Sequence, residues 1–393
     1  MAYDKVVDSA SLDSKLTQVA DAIRTKGNTS ADLQFPSGFI SAIQAIQTGT
    51  ELQIIVSVTS GATVTATKGS KVVSGTSVNG TCTLTVPEAG TWSVKATHNG
   101  QTSGTKSVTF TDSYAVTLSF ASSTLNNNEW SVIKSVSDAG QGANYWSIGD
   151  RKAVTVNGTV GTQAVNGTYY AYIIGFNHNS SKEGNGITFG TFKTALSGGT
   201  DICLVDGKYN SYSTDGTKYF NMNHSSNTNA GGWKGCDLRY DVLGSTNTND
   251  GDATATTATN PVANTLMAAL PSDLRAVMQP MTIYTDNTGG GIDNASYVTK
   301  TIDYLPLLAE YEIFGTRTYA NSAEKNYQAQ YAYYSAGNSK VKYCHSATGS
   351  AAWWWERSPR HDYNQYFCFV TMNGTAGISN ARFSDGVAPA FRV

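Results

Sequence analysis

The residues best suited to chemistry lie near the end of the chain, in a stretch that opens with three tryptophans at 353–355. Its middle, residues 360–367, reads Arg-His-Asp-Tyr-Asn-Gln-Tyr-Phe and follows neither a helical nor a strand period. Tyrosine supplies stiff contact area with a polar tip, and Asn and Arg supply adaptable hydrogen bonds. Burying so many polar groups would require an internal partner for each of them. The run therefore predicts a surface for non-covalent recognition, whereas Trp353 and Trp354 are predicted to be core.

Acid–base catalysis is the alternative chemistry, and Glu310 and Glu312 are the pair of acids considered for it. Alternate residues of a strand face opposite ways, and residues two apart in a helix are not neighbours. The sequence contains no phosphate-binding glycine loop before a helix and no Gly-x-Ser-x-Gly elbow. The chain is therefore predicted not to be an enzyme and to use no cofactor.

Histidines and cysteines do not fall at metal-ligand spacing. The five histidines never pair at i,i+4, and the five cysteines form no Cys-x-x-Cys motif. The cysteines are predicted to be mostly reduced and buried, with one pairing among the last four left open. No metal site is predicted.

The composition limits the classes of partner that the chain is expected to bind. Only 14% of the 393 residues are charged, the net charge is −2, and Gly, Thr, Ser, Asn and Tyr are abundant. This balance is typical of a β-rich protein with polar loops. The sequence has no basic patch of the kind that would indicate nucleic acid as a partner. No apolar run approaches the roughly 20 residues that cross a bilayer, and the first residues lack the apolar core of a secretory signal. We expect neither membrane insertion nor export by the general route.

Residues 1–48 are predicted to form a helical attachment or oligomerisation segment. Apolar residues repeat at helical spacing from Leu12 to Ile23, and Gly27 ends this helix. A second helix is predicted after Pro36, with Ile43 and Ile46 on its apolar face. Two such helices cannot bury a core alone, so they need further copies, the next domain or a larger assembly.

Residues 49–121 are predicted to form an immunoglobulin-like β-sandwich spacer. Apolar and polar residues alternate in six or seven short segments, and Trp92 lies in the middle of the stretch. Turn signals such as Asn79-Gly80 and Asn99-Gly100 separate the segments.

Residues 122–393 are predicted to form one further domain. Strands are predicted at 145–156 and 169–176, a helix opening at 232–239, and another helix within 261–278 interrupted at Pro271. A low-complexity loop is predicted at 245–260, and a helical polar segment at 324–334.

Ordered motifs in this last region carry a resemblance. They are Trp146-Ser147-Ile148-Gly149, Gly232-Trp233 with Leu238-Arg239, Leu305 through Gly315, Trp353-Trp354 with Arg357-Ser358-Pro359, and Gly386 through Phe391. The set resembles the C-type-lectin-like domain of gut bacteria and their phages, which is related in fold to formylglycine-generating enzymes and phage tropism determinants. The resemblance covers roughly residues 125–393 and implies that this domain is C-type-lectin-like. Together with the N-terminal helical segment and the immunoglobulin-like β-sandwich predicted above, the chain is expected to be α+β and multidomain. The chain lacks the Glu-Pro-Asn and Trp-Asn-Asp signatures of calcium-dependent lectins.

In that family the last segment is the ligand-binding face, and a diversity-generating retroelement rewrites it in some members by mutating template adenines. The resemblance implies the ligand-binding residues Glu356, Arg360, His361, Asp362, Tyr363, Asn364, Gln365, Tyr366, Phe367, Phe369, Thr371, Ser379, Arg382, Phe383 and Asp385. Most of them, and Asn380, are reachable from an Asn codon by changing its first two bases, but Glu356 and Gln365 are not.

We therefore expect a phage tail receptor-binding protein, assembled in the host cytoplasm into the virion. Its expected partners are a bacterial cell-surface receptor, either protein or glycan, and other tail or baseplate proteins, bound through the N-terminal segment of a homotrimer. The alternatives are a formylglycine-generating-like or glycan-cleaving tail enzyme, a bacterial surface adhesin and a purely structural tail component.

Overall fold

The computed structural model describes residues 9–28, 30–45, 51–207, 220–224, 226–244 and 258–393. Within these residues the chain is mixed α+β, with several separate β-sheets and separate hydrophobic clusters along the sequence. Ile46 of the predicted second helix and most of the predicted 245–260 loop lie outside the described residues. No helix among the described residues is long and apolar enough to span a bilayer.

The N-terminal segment forms two packed helices, α1 (Ser9–Gly27) and α2 (Ser37–Ala45). Ala20, Ile23 and Phe39 make a small buried cluster between them. Further apolar side chains of the same helices stay about half exposed: Leu12 46%, Val19 48%, Ile40 54% and Ile43 53%. The helical pattern is confirmed, and the hairpin leaves an uncovered apolar surface.

Eight strands follow, in two sheets that enclose one core. They are β1 (Gln53–Ser57), β2 (Thr63–Lys68), β3 (Lys71–Thr76), β4 (Thr81–Thr85), β5 (Gly90–His98), β6 (Gln101–Thr102), β7 (Lys106–Phe110) and β8 (Tyr114–Thr117). One sheet has the order β4-β1-β8; the other has the order β3-β2-β5-β6, with β7 also on β5. Alternate residues point into a shared core around Trp92, which is fully buried.

Two details of this region follow from local sequence. Asn79 and Asn99 have φ of 52° and 49°, so the asparagines of the predicted Asn-Gly turns adopt the left-handed conformation. Strand β3 was not predicted, because none of its residues is fully buried and Val72 is 62% exposed. A strand without a buried face shows little alternation of apolar and polar residues, so it is hard to predict from sequence.

The remainder of the chain carries short helices around several sheets. The helices are α3 (Trp130–Asp138), α4 (Gly142–Tyr145), α5 (Ser180–Glu183), α6 (Asp237–Asp241), α7 (Leu266–Ala269), α8 (Ser272–Arg275), α9 (Glu310–Phe314) and α10 (Ala332–Ser335), with 3-10 turns at Leu125–Asn127, Ala295–Tyr297 and Ser322–Asn326. The strands are β9 (Arg151–Val160), β10 (Gln163–Phe176), β11 (Ile187–Lys193), β12 (Asp201–Ile202), β13 (Met281–Asp286), β14 (Val298–Asp303), β15 (Lys342–Tyr343), β16 (Ala351–Ala352), β17 (Trp354–Pro359), β18 (Tyr366–Val370), β19 (Ala376–Asn380) and β20 (Ala390–Arg392).

The largest sheet has the order β16-β15-β12-β11-β10-β9, and β20 joins it on β11. Phe391 of β20 stacks on Phe189 of β11 with ring centroids 5.2 Å apart, and Trp130 of α3 packs edge-on against both rings. The end of the chain is therefore part of the main core. Two smaller sheets, β13-β14 and β17-β18-β19, complete the region.

Three predicted elements differ from the structure. Residues 142–145 form α4, and β9 begins only at Arg151, so the predicted strand at 145–156 starts too early. In the 232–239 motif the helix starts at Asp237, because Gly231 and Gly232 have positive φ. The predicted helical segment at 324–334 is a 3-10 turn and the four-residue α10, separated by non-helical residues.

Candidate functional site

The predicted recognition run forms a loop between β17 and β18, here called the tip loop (residues 360–366). Asp362, Tyr363 and Asn364 are exposed, whereas Arg360 and Tyr366 are half-buried at its two ends. His361 and Gln365 are also half-buried. The loop therefore presents a mixed polar and aromatic surface to solvent.

The side chain of Arg360 organises this surface. Its guanidinium lies 5.8 Å from the ring centroid of Tyr319, 5.7 Å from that of Tyr363 and 5.8 Å from that of Tyr366. It also donates to both carboxylate oxygens of Asp362, at 2.5 and 3.3 Å. These hydrogen bonds lower the pKa of Asp362 and raise that of Arg360, so both groups stay charged. We call Arg360 with its three tyrosines the tyrosine cage.

The backbone of the tip loop is held from below by the fully buried Asn229. Its side-chain amide donates to the carbonyl oxygens of Arg360 at 3.1 Å, Tyr363 at 3.0 Å and Tyr366 at 2.9 Å. Its backbone N–H donates to the carbonyl of Asn364 at 2.7 Å. All four hydrogen bonds are to main-chain atoms, so Asn229 fixes the path of the loop without hydrogen bonds to its side chains.

A glycine triplet at 289–291 brings a second loop close to this anchor. The N–H of Gly290 donates to the Asn229 side-chain oxygen at 2.8 Å. Gly291 has φ of +75°, and a Cβ there would lie 2.8 Å from the backbone nitrogen of Asn364. A Cβ on Gly289 would lie 1.9 Å from the carbonyl oxygen of Asn229. Only glycine fits these close approaches without a shift of the backbone.

The neighbouring segment that carries Tyr319 is fixed through Glu310. Both oxygens of this fully buried carboxylate accept the N–H of Tyr319, at 3.0 and 2.9 Å, and one also accepts the N–H of Ala320 at 2.8 Å. The carbonyl of Tyr319 then accepts from the backbone and ring nitrogens of His361, at 2.9 and 2.8 Å. Glu310 thus positions one wall of the tyrosine cage.

Strand β17 supplies a buried ionic framework beneath the loop. Arg357 forms two hydrogen bonds of 2.6 Å to the carboxylate of Glu312, and donates to Thr285 at 2.7 Å and to the carbonyl of Leu307 at 2.8 Å. Its side chain is 1% exposed and that of Glu312 is 8% exposed. Each of the three guanidinium nitrogens therefore has at least one nearby oxygen, as a buried charge requires.

Two further buried acids lie in the same framework. Glu324 accepts from Ser358 at 2.6 Å and from the N–H of Asp286 at 3.0 Å, and burial raises its pKa to about 7. Neither carboxyl oxygen of Glu356 has a hydrogen-bond partner among the described residues. Burial, followed by the repulsion of Glu310, raises the pKa of Glu356 well above its usual value. Both effects favour the neutral form of Glu356.

The strand register decides which predicted ligand-binding residues come together. Tyr366 of β18 pairs with Asn380 of β19, so Asn380, Arg382 and Phe383 lie at the tip-loop end of this sheet. The half-buried Arg382 and Phe383 follow the strand there. Thr371 follows the other end of β18, about 17 Å away at about 3.4 Å per residue.

Four members of the predicted set are not on the surface. Glu356, Phe367 and Asp385 are fully buried, and Ser379 is 6% exposed. Phe369 is half-buried against the main core. The expectation that these side chains face a ligand is corrected for Glu356, Phe367, Ser379 and Asp385. The first three point inward from β17, β18 and β19, and Asp385 is buried in the segment between β19 and β20. The exposed part of the set is the tip loop with its neighbours Arg382 and Phe383.

Asn229, Tyr319 and the glycine triplet were missed from the sequence. They lie 40 to 140 residues from the tip loop, so no local period connects them to it. The run of three glycines at 289–291 was the one available signal of a close backbone approach.

No group of three or more metal-ligating side chains that could hold an ion is found among the residues that the structure describes. Burial raises the pKa of Cys236 to about 12 and raises the pKa values of Cys203 and Cys368. Those thiols are protonated at neutral pH and poorly nucleophilic.

One comparison with known proteins gives a match. Residues 212–393 match the family model described as domain of unknown function DUF6273, which is slightly less than half of the chain. The matched range contains the tip loop, Asn229 and the Arg357–Glu312 framework. No curated protein and no solved structure matches the chain.

Proposed function

We propose that this chain is a receptor-binding protein of a phage tail that recognises a bacterial cell surface through the tip loop. In this proposal residues 122–393 are a C-type-lectin-like domain, and residues 49–121 are an immunoglobulin-like spacer. The buried Trp92 between two sheets supports the spacer assignment. The chain acts in the virion as an adhesin without a cofactor, after assembly in the host cytoplasm.

The observation that carries the proposal is the combination of an exposed polar and aromatic loop with an anchor, Asn229, whose hydrogen bonds to the loop all go to its backbone. Asn229 binds four main-chain carbonyls of residues 360–366. The side chain of Tyr363 is 49% exposed, and Asp362 and Asn364 are exposed beside it. Such a surface supplies aromatic contact area and hydrogen bonds from a fixed backbone.

In this proposal the helical hairpin joins several copies of the protein into an oligomer. Leu12, Val19, Ile40 and Ile43 leave apolar area uncovered on α1 and α2. In the proposal this area forms the homotrimer and the attachment to other tail or baseplate proteins. Three linked tips would raise the affinity of a weak single site by about 10²–10⁴ through avidity.

A glycan-cleaving enzyme would need an available acid, and two acids at the tip loop, Glu310 and Asp362, are already engaged in other contacts. The carboxylate of Glu310 accepts three contacts from backbone N–H groups. The carboxylate of Asp362 is paired with Arg360. These contacts favour a binding role over a catalytic one.

Binding of the full-length labelled protein to a panel of bacterial cells tests the proposal by flow cytometry. We expect the double variant Tyr363→Ala with Arg360→Ala to lose at least tenfold in binding to any strain that the unmodified protein binds. Tyr114→Ala is the matched control, because Tyr114 is 40% exposed but lies in β8 of the sandwich. Equal binding by the double variant, or release of sugar from the cells, would contradict the proposal.

Diversification of the tip loop is a separate part of the proposal. If the tip loop is diversified, we expect a near-copy of the DNA encoding residues 353–393, differing only at adenines, beside a reverse transcriptase gene. Sequencing of the genomic neighbourhood tests this part, and a neighbourhood without such a copy would remove it without affecting receptor binding.

A further inference from the structure

A second exposed loop lies against the tip loop and carries an uncovered aliphatic side chain. It follows β13 and is here called the triplet loop (residues 288–294), because it contains the three glycines at 289–291. Ile292 in this loop is 55% exposed, slightly more than Tyr363 of the tip loop at 49%. The triplet loop was not part of the ligand-binding set that was predicted from the sequence.

Buried side chains fix the backbone of the triplet loop at both of its ends. The carboxylate of Asp286, which is 1% exposed, accepts the N–H groups of Thr288 at 3.0 Å and Gly289 at 2.7 Å. The side-chain nitrogen of Asn321, also 1% exposed, donates to Asp286 at 2.8 Å and to the carbonyl of Asn294 at 2.9 Å. The loop therefore displays its exposed side chains from a fixed backbone.

The triplet loop and the tip loop are joined through one buried residue. The side-chain oxygen of Asn229 accepts the N–H of Gly290 at 2.8 Å, while its side-chain nitrogen donates to the three tip-loop carbonyls described above. A Cβ on Gly291 would lie 3.0 Å from the Cα of Tyr363. Ile292 is the next residue, so its Cα lies about 3.8 Å further along the chain. Ile292 and Tyr363 are therefore neighbours on one surface.

The charged groups of these two loops are matched within the protein. Arg360 donates to both carboxylate oxygens of Asp362, and Asp293, the residue after Ile292, accepts from Arg317 at 2.9 Å. Neither pair leaves an unmatched charge to attract a receptor of opposite charge. The surface therefore presents an aliphatic and an aromatic side chain beside compensated charges, and tyrosine and arginine are typical of the centre of a protein–protein interface.

The chemistry of Ile292 distinguishes two classes of receptor. A sugar presents hydroxyl groups, and an aliphatic side chain that covers them removes their water without offering a hydrogen bond in return. An apolar side chain of a polypeptide loses no hydrogen bond in the same position, and both apolar surfaces leave water. An exposed isoleucine at this place therefore favours a protein receptor over a glycan.

We infer that Ile292 is a second contact point beside Tyr363, and that the receptor is a bacterial surface protein that places an apolar side chain against these two residues. The inference rests on the proposed receptor-binding function and narrows its partner from a protein or glycan to a protein. Asn229 supports both contact points, because it holds the backbone of each loop.

Flow cytometry of the full-length labelled protein on a strain that it binds tests the role of Ile292. We expect Ile292→Ser to raise the half-saturating concentration at least tenfold, and Ile292→Leu, which keeps an aliphatic side chain, to stay within threefold of the unmodified protein. Ile55→Ser is the matched control and should bind normally, because Ile55 is 36% exposed but lies in β1 of the sandwich. All three variants change exposed side chains, so their thermal unfolding temperatures should stay within a few degrees.

Treatment of the same cells tests the class of receptor. Proteinase K should remove at least nine-tenths of the binding, because it digests surface proteins. Mild periodate oxidation cleaves the vicinal diols of sugars and should leave binding within twofold. Loss of binding after periodate, with or without loss after proteinase K, would identify a glycan and overturn the inference.

These outcomes are distinct from a failure of the proposed function. If the double variant Tyr363→Ala with Arg360→Ala loses binding while Ile292→Ser keeps it, the tip loop binds the receptor and the role of Ile292 is refuted. If neither variant loses binding, or if the unmodified protein binds no strain of the panel, the proposed function fails and this inference fails with it.

Discussion

The guanidinium of Arg357 and the carboxylate of Glu312 form a two-point ion pair, with both N–O distances at 2.6 Å, inside the C-terminal region. The pair joins β17 to α9, and the carbonyl of Leu307 accepts a further hydrogen bond from the same guanidinium. It therefore ties the strand that leads into the tip loop to the segment that positions Tyr319.

The first prediction concerns this pair. Arg357→Lys keeps the positive charge but cannot make two parallel bonds to Glu312, so a buried carboxylate loses a donor. We expect the free energy of unfolding to fall by about 1–3 kcal/mol, measured by urea denaturation.

Arg317→Lys is the matched control for that change. Arg317 pairs with Asp293 at 2.9 Å, but the two side chains are 28% and 31% exposed. An exposed pair is worth about 0–1 kcal/mol, so this variant should unfold almost as the unmodified protein does. Equal losses in the two variants would show that burial does not set the strength of the Arg357 pair.

The second prediction concerns Asn229. Asn229→Ala removes three hydrogen bonds to carbonyls of the tip loop, and we expect a loss of roughly 1–3 kcal/mol in stability. Amide hydrogen exchange of residues 360–366 should accelerate at least tenfold, while exchange in β9 and β10 stays slow. Asn373→Ala, in the exposed turn after β18, is the control and should leave the tip loop protected.

The third prediction concerns pH. Burial raises the pKa of Asp385 to about 7, against a smaller opposing effect of the Ser379 hydroxyl. A carboxyl with a raised pKa binds its proton more tightly in the folded chain. Its contribution to the free energy of unfolding therefore falls as pH rises from its usual pKa to about 7, and levels off above that value.

Asp385→Asn removes this titration. At pH 8 we expect the variant to be more stable than the unmodified protein by up to about 4 kcal/mol, with little difference near pH 4. Asp362→Asn, at an exposed carboxyl whose pKa is lowered, should not change the slope between pH 5 and 8. Urea denaturation at several pH values measures both, and parallel curves for Asp385→Asn and the unmodified protein would refute the prediction.

The fourth prediction concerns the apolar surface of α1. Leu12→Asp with Val19→Asp should convert the proposed trimer into monomers, because both side chains are about half exposed in the single chain. Light scattering after size-exclusion chromatography measures the mass. Gln18→Asp is the control, because it adds a negative charge at an exposed polar position and should leave the trimer intact. If the unmodified protein is already monomeric, the hairpin does not form a trimer.

The sequence predicted those features that rest on local patterns. Apolar spacing found α1, and alternation around Trp92 found most strands of the sandwich. The interruption at Pro271 also lies where expected, between α7 and α8. In each case the side chains that form the pattern are neighbours along one element.

The site was only partly predictable for the same reason. The run from Arg360 to Tyr366 was recognised by its composition, but Phe367 was grouped with it although β18 turns this ring into the core. The contacts of Asn229 and Glu310 with the tip region join residues far apart in sequence. Such contacts form only in the folded chain and leave no periodic signal in the sequence.

The tyrosine cage has one more consequence, for the thermodynamics of docking. Arg360 already packs among Tyr319, Tyr363 and Tyr366 and is already paired with Asp362 before any partner arrives. Each mobile side chain that must be immobilised on association costs about 0.5–1.5 kcal/mol. With several rotamers restricted in advance, the cage would keep this entropic loss small for the proposed receptor, so that a receptor of modest contact area would still bind measurably.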